Sequence, residues 1–186
     1  MHITDAQREN RVRFTGGFYG QAVSAALWVA SAGLATWSTP KAAIIFLILG
    51  GFFIFPITEL FIRISGARSL SPENSLYQLG MQVAFVLPLS MPLLVPVAQF
   101  RLNLFYPALM ILLGAHYVPF VFLYGMRLFA GLAAALLAGG ILITMYLSNS
   151  FSIGAWYTGA MLLAFAVAGR VIVSREMASP ISPSSI

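Results

Sequence analysis

Cysteine is absent from this 186-residue chain, so a disulfide framework, a thiolate metal site and a haem-attachment motif are all excluded. Charge is nearly as scarce: 8% of residues are charged, against about 25% in an ordinary soluble domain. Only five residues are acidic and two are histidine, which leaves little for acid–base chemistry. The chain also lacks a His-Glu-x-x-His pair, a Gly-x-Ser-x-Gly nucleophile elbow and a phosphate loop, and no two acids fall together inside an apolar run. No catalytic residue, cofactor or metal ligand is therefore expected, and the sequence leans away from an enzyme.

What is abundant is apolar surface, with 60% hydrophobic residues and a mean hydropathy of +0.90. The charges gather at the termini and in short breaks between apolar runs of roughly 20 residues, the length a helix needs to cross a bilayer. The expected fold class is all-α, a polytopic membrane bundle of six transmembrane helices at about 16–37, 40–62, 72–98, 104–126, 128–147 and 151–173. A cytoplasmic segment, 1–15, precedes this domain, and a disordered cytoplasmic tail rich in serine and proline, 174–186, follows it. An Ala30-Ser31-Ala32 triplet mimics a signal cleavage site, but the apolar run continues to Trp37, which is too long for a signal h-region.

Counting Lys and Arg on alternate sides of six spans sets the orientation. Arg8, Arg11, Arg13, Arg63, Arg68, Arg127, Arg170 and Arg175 fall on one side and only Lys41 and Arg101 on the other, which places both termini in the cytoplasm of a multi-pass protein of the cell membrane. The net charge of +5 forms no continuous patch, so membrane lipids and not nucleic acid are the expected partners.

Local signals mark the joints. Thr39 followed by Pro40 reads as an N-cap and first helical position, and Ser71-Pro72-Glu73 as the start of the third helix. Small residues recur every four positions at Gly16/Gly20/Ser24, Gly131/Ala135/Gly139 and Ala160/Ala164/Ala168, a spacing that lets helix backbones approach closely. If such faces meet a second copy, the chain is a homo-oligomer, and a non-catalytic scaffold or accessory subunit is the alternative function.

The least ordinary stretch is the third apolar run, where Pro88, Pro92 and Pro96 share one helical face. Each proline lacks the donor for the carbonyl four residues back, so Ala84, Pro88 and Pro92 lose a partner and a proline-kinked third helix is expected. Pro56 and Pro119 are expected to bend the second and fourth helices, leaving a central space lined by Phe52, Phe53, Tyr106, Tyr117 and Phe120. His116 lies eleven residues above Arg127, about 16 Å from the inner boundary, a depth unusual for histidine. Glu59 is about 10 Å shallower, one turn from Arg63, with which it forms the expected i,i+4 ion pair. The candidate ligand-binding set is His116, Tyr117, Ser90, Pro88, Pro92, Gln82 and Glu59. The function expected from it is binding or transport of a small apolar or amphipathic molecule, or of a proton, through an intramembrane cavity.

Overall fold

The computed structural model describes residues 1–67 and 69–178, and every regular element among them is helical. In chain order these are α1 (Ile3–Arg13), α2 (Phe18–Trp37), α3 (Pro40–Gly51), α4 (Ile54–Ile64), α5 (Ser75–Ser90), α6 (Leu94–Phe100), α7 (Phe105–Tyr124), α8 (Leu128–Tyr146) and α9 (Ile153–Ala178). Four stretches are long and apolar enough to cross a membrane: Ser75–Phe100, Leu102–Tyr124, Leu128–Tyr146 and Ile153–Ala178. A fifth is added if α3 and α4 count as one broken span. The 20-residue α2 is long enough, but Gln21, Ser24, Ser31 and its many small residues dilute its hydropathy.

Thr39 caps α3 as its sequence predicts, its side chain accepting from the Ala42 amide at 3.2 Å with Pro40 at the first helical position. The apolar run then breaks. α3 and α4 meet at 50°, and the break falls at Phe52 and Phe53 because Pro56 has no N–H to offer the Phe52 carbonyl. The chain tightens there, with Phe53 N–H donating to the Gly50 carbonyl at 2.9 Å. The proline-rich third run behaves differently. Pro88 lies inside α5, a 3₁₀ turn at Met91–Leu93 takes in Pro92, and α6 continues with Pro96, the whole remaining one candidate span.

α7 is the centre of the bundle. It packs along α8 and against α5, while α2 lies against α9 and α3. Tyr106, Leu109 and Met110 of α7, Leu132 and Leu136 of α8, and Leu162 of α9 are fully enclosed. One polar joint fixes this packing: the Ser31 hydroxyl donates to the Ala43 carbonyl at 3.0 Å and shares a 2.6 Å hydrogen bond with Tyr106.

Small residues close the helix contacts within one chain. A Cβ on Gly139 would lie 2.5 Å from the Tyr157 ring, and one on Gly16 would lie 2.7 Å from the Gly169 carbonyl. The stripe expected on the last helix faces the other way: Ala160 and Ala164 are exposed, and Ala155, Gly159, Leu162, Ala166, Gly169 and Val173 form the buried face.

α1 is polar and lies across the end of the bundle, tied to α7, to α9, to the turn before α5 and, through Arg13 and Glu59, to α4. Its Gln7, Asn10 and Arg11 side chains donate to the carbonyls of Phe122, Leu123 and Tyr124 in the last turn of α7, where the Phe122 carbonyl also accepts from the Gly125 amide at 3.2 Å. Arg11 also makes a two-pronged pair with Glu176 of α9, at 2.7 and 3.0 Å. Glu9 accepts from the Ser71 amide at 2.7 Å and from Asn74 at 2.6 Å. This clamp explains why α5 begins at Ser75 and not at the Ser71-Pro72-Glu73 signal: Ser71 is held as a turn by Glu9, and Asn74 becomes the N-cap, accepting from Leu76. At the other terminus α9 stays helical to Ala178, so residues 174–178 of the expected disordered tail are helix. The rest of that tail, 179–186, and Arg68 lie outside the described residues.

Candidate functional site

Between α2, α3 and α4 on one side and α5 on the other, with α7 as its floor, lies a cavity of about 540 Å³. Its existence follows from how the helices pair. α4 rests on α2, and α5 rests on α7 and α1, so α4 and α5 barely meet each other. The side chains flanking that seam, Phe52, Phe55, Tyr77, Phe85 and Pro88, line the cavity and are also exposed on the outer surface. The cavity therefore opens sideways, toward where acyl chains would lie if these helices cross a bilayer. Glycines keep the space open: a Cβ on Gly51 or Gly80, both in the wall, would meet nothing within 4 Å.

The lining is mostly apolar, with a few polar groups at depth. Gln21 of α2 is 3% exposed, and neither its amide oxygen nor its amide nitrogen has a hydrogen-bond partner among the described residues. The buried Thr58 hydroxyl of α4 is also without a partner there, and it stands across from Gly20, 3.8 Å from where a Cβ on that glycine would be. On the α7 floor the buried His116 Nδ1 has no hydrogen-bond partner either, while the imidazole approaches the backbone of Val83 in α5. The His116 ring also sits within an aromatic group, 5.2 Å from Phe120 and 5.7 Å from Tyr117 between centroids. In a low-dielectric interior each such unpaired group carries a desolvation cost that a bound polar atom would relieve.

Of the residues predicted from sequence, His116, Tyr117, Pro88 and Glu59 line this cavity, and Ser90, Pro92 and Gln82 do not. Pro88, Pro92 and Pro96 are all exposed: Pro88 stands at the rim of the cavity, and Pro92 and Pro96 lie on the outer surface. Ser90 spends its hydroxyl on the Val86 carbonyl of its own helix, at 2.7 Å, and Gln82 is exposed on α5. Among the expected aromatics Phe52, Tyr117 and Phe120 line the space; Tyr106 is bonded into the core instead, and Phe53 lies outside. Glu59 is paired with Arg13 and not with Arg63, its carboxylate 3.2 Å from the Arg13 guanidinium. The physical reason is direction: Arg63 points outward, while Glu59 turns toward the end of α1, where both partners are about five-sixths shielded from solvent (16% and 15% exposed).

Gln21 and Thr58 carry no signal in the sequence that singles them out. A search for titratable groups at depth passes over an uncharged amide and a hydroxyl, and the two come to line one cavity only through the packing of α2 on α4.

These features define a class: an all-helical bundle with four to five candidate membrane spans and a sideways-opening, largely apolar cavity with buried polar groups. Within that class the chain belongs to a family of unknown function, DUF7010, which it matches over residues 3–171. Neither the curated proteins nor the solved structures contain a match to the chain.

Proposed function

We propose that the protein crosses the cell membrane six times, with both termini cytoplasmic, and binds a small amphipathic molecule in the cavity between α5 and α2–α4. The topology rests on the eight-to-two partition of Lys and Arg and on counting α2 and the bent α3–α4 pair as spans. The polarity that lowers the hydropathy of α2 is in large part that of Gln21 and Ser24, which face the cavity and not lipid.

The observation that carries the binding function is the combination of apolar walls with buried polar atoms that have no partner among the described residues: both ends of the Gln21 amide, the Thr58 hydroxyl and His116 Nδ1. A volume near 540 Å³ is within the range of about 300–1,000 Å³ usual for small-molecule sites. The pairing of Glu59 with Arg13 favours a structural role for that acid over a proton path. The scaffold alternative is less well supported, because Gly16 and Gly139 already meet α9 of the same chain.

Cavity filling tests the proposal. Gly80→Leu places a side chain in open space on an exposed-to-intermediate part of α5, where replacing glycine also favours the helix. Native mass spectrometry of the protein released from membranes should show a retained lipid-like molecule on wild type and its loss from Gly80→Leu. Equal adduct spectra for the two proteins contradict binding in this cavity.

A further inference from the structure

We propose that the cavity selects a lipid whose uncharged head both donates and accepts hydrogen bonds, a monoacylglycerol-like alcohol, over acceptor-only esters and over charged phospholipids. This rests on the cavity being a binding site and adds the class of ligand it takes.

The selection begins at Gln21. Its carboxamide presents one group that only accepts and one that only donates, and both are buried without a partner among the described residues. An ester or ketone oxygen satisfies the NH₂ group and leaves the amide oxygen unpaired. A hydroxyl satisfies either side, and two adjacent hydroxyls satisfy both. Thr58 stands on the neighbouring helix, its hydroxyl 3.8 Å from the Cβ position of Gly20, the residue before Gln21. It supplies a second donor and acceptor in the wall of the same cavity. His116 on the α7 floor offers a third polar contact.

Charge decides against phospholipids. Among the described residues Glu59 is the one ionised side chain in the wall, and it is paired with Arg13. A phosphate, carboxylate or ammonium head placed beside Gln21 would be desolvated with no counter-ion, whereas a neutral alcohol would not. An acyl chain would leave the polar groups through the seam between α4 and α5, past Phe55 and Phe85, which both line the cavity and reach the surface.

The test compares three probes with the same twelve-carbon chain: monolauroylglycerol, methyl laurate and the anionic lysophospholipid lauroyl-lysophosphatidic acid. Binding to the full chain in nanodiscs is read by native mass spectrometry. Leaving one buried polar atom unpaired corresponds to about tenfold or more in affinity, so the monoglyceride should bind at least tenfold tighter than either competitor. Gln21→Leu should bring the monoglyceride-to-ester ratio to about one, and the near-isosteric Thr58→Val should lower it by several fold. Equal binding of ester and monoglyceride to wild type, a ratio unmoved by both variants, or a lysophospholipid that binds as tightly overturns the ligand class while leaving the cavity as a site. If none of the probes binds, or Gly80→Leu leaves all three unchanged, the binding site itself is overturned, and the ligand class with it.

Discussion

Replacing Gln21 by leucine should make the ligand-free protein more stable, the reverse of what most buried substitutions do. Gln21 is 3% exposed and neither polar end of its amide is bonded among the described residues, so the folded state carries the desolvation of that amide with nothing in return. Protein data place the cost of one buried, unsatisfied polar group at about 1–3 kcal/mol. Leucine has nearly the same volume, keeps the contacts of the side-chain stem and adds apolar surface to an apolar wall. The expected gain is therefore about 1–3 kcal/mol, which for a chain of this size raises the melting temperature by about 2–12 °C. Reversible unfolding in mixed micelles with increasing dodecyl sulfate, followed by far-UV circular dichroism, measures it. A loss of 1 kcal/mol or more on Gln21→Leu would show that the amide is bonded in the fold and is not held in reserve for a ligand.

Other perturbations bear on the frame around the site. Gly139→Leu should destabilise the bundle by about 1–3 kcal/mol or more through overpacking against Tyr157, and detergent-solution mass should not change, because the face is used within one chain. Ser31→Ala removes the shared hydrogen bond to Tyr106 and the bond to Ala43, which should cost about 1–2 kcal/mol in the same unfolding assay. Asn74→Ala removes both the cap of α5 and a tie to Glu9, and hydrogen exchange should rise in residues 3–13 as well as at the start of α5.

Much of the frame is legible in the residues. Apolar runs of bilayer length mark most of the helices, Thr39-Pro40 marks a helix start by local chemistry alone, and Gly139 marks a close contact because no larger residue fits. The misread features share one cause: their outcome is decided by a distant segment. The Ser71 signal is locally sound, but Glu9 and Ala6 of α1 take up the turn and move the helix start to Ser75, with Asn74 as its cap. Glu59 has a well-spaced Arg63 beside it, yet Arg13, 46 residues away, is the partner the fold supplies. The proline stripe was legible as a spacing and not as a direction, since Leu, Val and Met surround it on every side and nothing in that run says which face meets α7. His116 and Tyr117 stand out because titratable and aromatic groups at depth are rare or bulky. Gln21 is an ordinary residue until α4 packs beside it and no partner arrives.

The most direct measurement of the central claim is photolabelling in bilayers with a monoacylglycerol that carries a diazirine near its head, followed by peptide mapping. Occupancy of the cavity predicts saturable labelling of peptides containing Gln21, Thr58 and His116, competed by unlabelled monoglyceride and reduced by Gly80→Leu. Labelling confined to outward-facing residues of α5 and α6, such as Leu89 and Val95, that rises without saturation would contradict it.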